Sequence, residues 1–350
     1  MFIHAIVVSR NDWGTLALSI TNVLVNHADV VHVLNHGSSD QTAHGLKVLQ
    51  EIWGKRLKIY SASPDIPFNQ SLLTNMLVPI AENEGADWIY VFDSDEFLLS
   101  KPDFSLKKEL SKLSSDTVAA RYNLSNYIST HDFDQDNISH YQKLIYKSKP
   151  SINCDPIRSM ELISEGKISF FDLTFPSKIF FRANKDLLIA KGAHGLQYIL
   201  DKQSTISFID AECAHLSLSS KKILAAKSLH GKSLIDLGLS KKLGWQNQLV
   251  HQLDIAGKLD WFWEKHSINT DHGEISNPVH TIDLSFVKCL SSSIEILKEK
   301  FGGIDISMVS GTPLKTGCDE DTEFTFGSVF QMCDFFDKKI QLFLRSNQDK

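Results

Sequence analysis

The feature that most constrains this chain is the alternation, over its first hundred residues, of short β-branched runs with segments of helical spacing. Residues 3–8 (IHAIVV), 30–34 (VVHVL), 57–60 (LKIY) and 88–92 (WIYVF) read as buried strands. Between them, Leu16, Ile20, Val23 and Leu24 recur at helical intervals, then Leu46, Leu49, Ile52 and Trp53, and a long helix is predicted over about 69–84. Strands joined by helical crossovers must run parallel, with helices covering both faces of the sheet. Ligands then bind outside the carboxyl ends of the strands, where the strand order reverses. Three polar clusters, at 9–12, 35–40 and 93–96, fall at those ends.

Past residue 100 the pattern changes. Residues 103–114 read as helix, 117–122 as strand and 167–182 as an antiparallel hairpin, followed by helices at 219–235 and 245–265. Residues 303–323 read as a linker. Phe326, Val329, Phe330, Cys333, Phe336, Ile340, Phe343 and Leu344 mark an amphipathic terminal helix, expected to dock on the body or on a dimer partner. The expected fold is α/β, with a mostly parallel Rossmann-like sheet and flanking helices over 1–235 and a mainly helical C-terminal region over 236–350. A formal net charge of −6 with both signs interspersed leaves no basic footprint for nucleic acid. The cysteines, Cys154, Cys213, Cys289, Cys318 and Cys333, are scattered and odd in number, which suits reduced thiols better than a disulfide framework. The N-terminus lacks a basic n-region, and no run approaches the ~18 apolar residues of a transmembrane helix, so a cytoplasmic enzyme is expected, at most peripheral to a membrane.

The chemistry concentrates in the run from Trp88 to Leu98 (WIYVFDSDEFL), where an apolar strand delivers Asp93, Asp95 and Glu96 into one turn. Crowded carboxylates repel unless a cation or hydrogen bonds compensate. Mg²⁺ or Mn²⁺ takes oxygen ligands and keeps positions open for substrate phosphates. The alternative reading is a solvated acidic strand end. The run from Asn35 to Thr42 (NHGSSDQT) follows a strand and opens a helix. Gly37 permits a tight turn, Ser39 or Asp40 can cap the helix, and Asn35 is placed to hydrogen-bond a base edge. Read alone it is equally a capped turn. Ser9-Arg10-Asn11-Asp12 reads as a strand-to-helix turn with Asp12 as N-cap.

Taken in order, these clusters resemble the nucleotide-binding half of family 2 glycosyltransferases and their relatives, which have the GT-A fold. Asp87-Trp88-Ile89 followed by Asp93-Ser94-Asp95-Glu96-Phe97-Leu98 is similar to a subgroup whose acidic motif reads DW…DxDEFL. The resemblance covers roughly residues 1–235. It implies a UDP- or GDP-sugar donor held by Ser9, Arg10, Asn11, Asn35, Ser38, Asp40 and Asn75, with the diphosphate reaching Mn²⁺ or Mg²⁺ at Asp93 and Asp95. It also implies transfer of the sugar to a hydroxyl of a glycan or lipid-linked acceptor, with inversion. Downstream, Lys178, Arg182, Gly192-Ala193-His194, Ala214-His215-Leu216 and Lys227 resemble the subgroup's later basic and histidine run. That makes His194 or His215 a further metal ligand, and Lys178, Arg182 or Lys227 a diphosphate contact. The Glu-Asp pair that supplies the base in inverting relatives has no counterpart here, so Asp155 and Glu161 stand as candidates. Rival readings are a DxD phosphotransferase, which sets Thr or Val after its second Asp where this chain has Glu96-Phe97, and a nucleotide-sugar pyrophosphorylase, whose glycine-rich first loop is missing. A degenerate domain that only binds a glycan or a partner is the non-enzymatic alternative.

Overall fold

The computed structural model describes residues 1–66, 68–101, 103–198, 204–269, 280–301 and 322–324. Its first hundred residues run β1 (Ile3–Ser9), α1 (Trp13–Asn26), β2 (Val30–His36), α2 (Thr42–Trp53), β3 (Leu57–Ala62), α3 (Gln70–Asn83) and β4 (Trp88–Val91). There follow β5 (Glu96–Leu98), α4 (Leu106–Ser111), β6 (Thr117–Ile128), β7 (Tyr146–Ser148), α5 (Pro156–Ser164), β8 (Lys178–Arg182), β9 (Leu188–Ile189), β10 (Leu196–Tyr198) and β11 (Thr205–His215). The last described elements are α6 (Lys221–Asp236), α7 (Trp245–Ile255), α8 (Leu259–His266), β12 (His280–Ile282), α9 (Ser285–Phe301) and β13 (Thr322–Phe324).

The chain forms two compact units: 1–124 with 176–213 and 289–350, and 125–175 with 214–288. Each is discontinuous in sequence. Three of the four boundaries fall inside β6, β11 and α9 and the fourth just before β8, so no linker composition announces them.

In the first unit, β13, β3, β2, β1 and β4 lie side by side and run parallel. The chain steps from β1 out to β2 and β3, then returns to the far side of β1 for β4. Because such crossovers are right-handed, α1 and α2 cover one face and α3 the other. Burial agrees. Ile6, Val8, Leu34 and Tyr60 pack with Leu73, Met76, Leu77 and Ala81 of α3, while the alternate residues Ala5, Val7, Val31 and Val33 are also fully enclosed. Burial on both faces explains why these strands read as unbroken apolar runs. Beyond β4 the sheet turns antiparallel: β8 pairs with both β4 and β6. The expected hairpin over 167–182 is absent. Residues 170–172 form a single 3₁₀ turn, and β8 finds its partners more than fifty residues upstream.

The second unit has its own core, in which Met160 and Ile163 of α5, Leu224 of α6, Leu249 and Leu253 of α7 and Phe262 of α8 surround Phe170 and Phe171. Cys154, Cys213 and Cys289 are free thiols, and among the described residues no helix is long and apolar enough to cross a membrane. The proposed terminal amphipathic helix lies outside the described residues.

Close packing of α1 on α2 depends on Gly45. A Cβ there would lie 2.3 Å from the Trp13 indole, which is itself buried. Gly45→Ala is expected to destabilise the protein by about 1–3 kcal/mol through overpacking, read as a lowered urea midpoint at unchanged slope.

Candidate functional site

The reversal in strand order falls between β1 and β4, and the loops leaving those strands meet there. Ser9 pairs with Asn35 and Asn35 with Ser61, which aligns the carboxyl ends of β1, β2 and β3. The loop after β1 is stapled to the loop after β2 by Asn11. Its backbone N–H donates to Ser38 Oγ at 3.0 Å, and its Oδ1 accepts from the Ser39 amide at 2.7 Å. Asn11 sits at φ 56°, a left-handed conformation that Asn tolerates better than most residues. Gly37, at φ 56°, makes the companion turn against Pro64, and Asn35 Oδ1 accepts from the Ser38 amide at 3.2 Å. Asp40 accepts from the Thr42 amide at 2.9 Å at the entry to α2. Asp12 precedes α1, but its side chain caps nothing; it accepts a hydrogen bond from Ser94 Oγ instead, tying the β1 loop to the acidic turn.

The acidic turn closes on itself. The Glu96 amide donates to the Asp93 carbonyl at 3.0 Å, and the Asp93 amide donates to Glu96 Oε2 at 3.2 Å. Lys178 reaches it because β8 is antiparallel to β4. Trp88 pairs with Arg182 and Tyr90 with Phe180, so the first residue of β8 arrives where β4 leaves. Its Nζ lies 2.9 Å from Asp93 Oδ2 and 2.5 Å from Glu96 Oε1, with the Lys178 and Glu96 side chains 2% and 1% exposed. Gln70, at the start of α3, donates to the other oxygen of Asp93. Burial pushes the Glu96 carboxyl from 4.5 up to about 8; Lys178 opposes this, and Asp93 and Asp95 add to it. Burial works against the Lys178 charge, but Asp93 and Glu96 outweigh it and hold the ammonium well above its ordinary value. Two carboxylates share one ammonium, so Lys178 stays charged and Glu96 is the group that takes up a proton.

Several of the expected site residues have protein partners in this structure. Lys178, expected to meet a diphosphate, instead neutralises the acidic turn from beneath. Arg182 stacks 4.8 Å over Trp88 and donates to the Thr117 carbonyl at 2.8 Å, at the opposite end of β4. Asn75 is committed to β9: its Oδ1 accepts from the Ile189 amide at 2.9 Å, and its Nδ2 donates to the Ile189 carbonyl at 3.1 Å. His194 donates from Nδ1 to the Ser177 carbonyl at 3.1 Å, which leaves Nε2 with the lone pair. No trio of ligand atoms that lie within 4.8 Å of one another includes Asp93 or His194, among the described residues. Arg10 is exposed at the rim.

In the second unit, His215 Nδ1 and Asn126 Oδ1 are 2.8 Å apart, and Lys227 lies half-buried on α6. Asp155 caps α5, accepting from the Ile157 and Arg158 amides, and Glu161 pairs with Arg158 at 3.0 Å on the exposed face. Both have local structural roles that need no catalysis.

Sequence reasoning noted Glu96 as a third acid but not as the one that holds a proton, and it missed Gln70 and the Asp12–Ser94 contact. Ser9 carried a usable signal as a polar residue ending an apolar strand. Its Oγ is buried with no hydrogen-bond partner among the described residues, an orphan of the kind that ligand sites present.

No family model matches the chain, and no curated protein matches it. Among solved structures it is similar to S. aureus TarS in complex with UDP, at 12% identity and a TM-score of 0.35, over 75% of this chain and 74% of that one. It is also similar to glucosyl-3-phosphoglycerate synthase from Mycobacterium tuberculosis in complex with Mn²⁺, UDP and glucosyl-3-phosphoglycerate, at 15% identity and a TM-score of 0.34, over 68% of this chain and 81% of that one. Likenesses of this size assign no activity to this chain.

Removing the lysine should expose how the site is held. Lys178→Met leaves a buried acid without its partner and is expected to cost about 3–5 kcal/mol, most of which Glu96→Leu restores in the double variant; urea denaturation of the four proteins measures the cycle. The raised Glu96 value also sets a pH dependence. The folded state holds a proton that the unfolded chain releases, so this stability is present below pH 4.5 and is lost as pH rises towards about 8. Glu96→Gln should remove that decline, seen as a flatter urea midpoint than the wild type across the same window.

Proposed function

We propose that this chain is a metal-dependent glycosyltransferase of the GT-A type, transferring a sugar from a nucleoside diphosphate to a hydroxyl of a glycan or lipid-linked acceptor. One observation carries the reading: the Asp12–Ser94 hydrogen bond joins the nucleotide-type loops of β1 and β2 to an acidic turn whose Asp93 and Glu96 meet the buried Lys178. The ordered motifs that resemble family 2 glycosyltransferases support it, and inverting transfer is the expectation that follows from them.

The donor chemistry of the turn fits a hard divalent ion. Asp93, Asp95 and Glu96 offer only carboxylate oxygen, the donor set such an ion takes. Asp93 and Asp95 would hold Mn²⁺ or Mg²⁺, with His194, whose Nδ1 is engaged by the Ser177 carbonyl, as the candidate imidazole ligand. When bound, the ion supplies positive charge for the departing diphosphate.

The chain's own groups do the rest. Lys178 and Gln70 fix the Asp93 carboxylate in one orientation, so it need not reorganise as charge develops. Ser9 Oγ and Asn35 face the position proposed for the nucleoside, and Ser38, Asp40 and Arg10 line the rim. Asn11 serves by holding the two loops together. Asn75 acts through the backbone of β9. Asp155 and Glu161 are left out of the chemistry, since a helix cap and a surface ion pair account for them.

Hydrolysis of UDP- and GDP-sugars with Mn²⁺, followed by released nucleotide, tests the proposal. Asp95→Ala is expected to lower the rate at least about 100-fold, while the melting temperature stays near that of the wild type, as expected for a half-exposed side chain. Full turnover in Asp95→Ala, or in excess chelator, would refute the reading. Tight Mn²⁺-dependent nucleotide binding without turnover would favour a binding module.

A further inference from the structure

At the other end of the parallel sheet, β1, β2 and α3 bring together three side chains that the proposed reaction does not use. His4 is the second residue of β1 and His32 lies mid-strand on β2; they are 2% and 0% exposed. His4 Nδ1 and His32 Nε2 are 2.9 Å apart, and the rings are stacked with centroids 5.1 Å apart. Glu84, the exposed residue that ends α3, brings a carboxylate oxygen to them, and the three ligand atoms lie within 4.8 Å of one another. The charged groups nearest to them are Lys58, whose Nζ is 3.7 Å from Glu84 Oε1, and Asp29.

We propose that His4, His32 and Glu84 form a binding site for a divalent transition metal, Zn²⁺ by its chemistry, that clamps the start of the sheet to the end of α3. Two imidazoles and a carboxylate are a borderline-soft nitrogen and oxygen set with the ligand count of an open tetrahedral site, in which water takes the fourth position on the exposed Glu84 side. The spacing is close to what such a site needs. Metal–nitrogen bonds of about 2.0–2.1 Å at a tetrahedral angle separate the two nitrogens by about 3.3 Å, so the rings part by only about 0.4 Å.

The surrounding shell is already in place. His32 Nδ1 lies 3.1 Å from the Tyr60 hydroxyl. If this nitrogen carries the proton and donates it to Tyr60, Nε2 is left as the lone pair, the arrangement that orients ligating histidines. Binding requires only that His4 direct a lone pair at the ion and that Glu84 leave Lys58. The site is separate from the acidic turn: His4 and Ser9 stand at opposite ends of β1, roughly 16 Å apart at about 3.3 Å per residue. The inference does not depend on the proposed reaction.

Co²⁺ titrated into the full chain tests it, because Co²⁺ absorbs strongly in tetrahedral sites and weakly in octahedral oxygen sites. The wild type should develop an intense visible band that Zn²⁺ displaces. Glu84→Gln, at an exposed position that folding tolerates, should weaken Co²⁺ binding more than about tenfold, and Tyr60→Phe by about 10–100-fold. Asp95→Asn should leave the band unchanged. Absence of a tetrahedral band in the wild type would overturn the proposal, as would a Glu84→Gln titration that overlays the wild type or a band lost in Asp95→Asn instead.

Discussion

The geometry of the candidate site depends on one ammonium group. Lys178 is buried where β4 leaves the sheet, and it answers both Asp93 and Glu96. Taking a lysine out of water costs several kcal/mol, which attraction offsets only with close contacts and further hydrogen bonds. Those are present: a turn closed by two backbone-to-turn bonds, and Gln70 on the remaining oxygen of Asp93. The result is a fixed field at the strand exit. Burial, opposed by Lys178 and reinforced by Asp93 and Asp95, is what raises the Glu96 carboxyl until it holds a proton near neutral pH.

Much of the parallel half was legible because its signals are local. A strand buried on both faces shows as an unbroken β-branched run, and crossover helices show as apolar residues at helical intervals. β1 through β4 lie within a few residues of where those patterns put them. The antiparallel half was not legible in the same way. The stretch over 167–182 alternates as a hairpin would, yet β8 pairs with β4 and β6, and alternation reports which face a residue occupies without naming the partner strand. That single non-local pairing also decides the role of Lys178. Sequence places Lys178 in a basic and histidine run far from the acidic turn; only the register of β8 on β4 shows that the cation meets the acids.

Motif positions were readable, but the division of labour within them was not. Asn11, Asn35 and Asn75 were each expected to touch a donor, and each has its carbonyl oxygen engaged in holding backbone: Asn11 between two loops, Asn35 within its own turn, Asn75 along β9. Short amides at such positions serve geometry as readily as recognition, because they hydrogen-bond nearby backbone and tolerate left-handed conformations. Ser9 Oγ, like His36 Nδ1 and Thr42 Oγ1 in the second motif, is buried and without a partner among the described residues. A buried orphan costs free energy in the folded chain, and a ligand that satisfied it would recover that cost.

At the start of β1, His4 and His32 lie diagonally across neighbouring strands among largely apolar residues on the face that α3 covers. As a hydrophobic filler an imidazole is poor: burial disfavours its charged form, and its ring nitrogens need partners. The chain supplies those partners in a line, His4 to His32 to Tyr60, each one strand further across the sheet on the face that α3 covers. A hydrogen-bonded line of this kind makes the polar atoms tolerable but gains little over the aliphatic packing around it, since the net worth of a neutral hydrogen bond is only about 1 kcal/mol. An ion drawing on both imidazoles and on Glu84 would add far more. It would do so at the junction where the first strand, the second strand and the end of α3 must all be in register for the opposite edge of the sheet to present Ser9, Asn35 and Asp93 together.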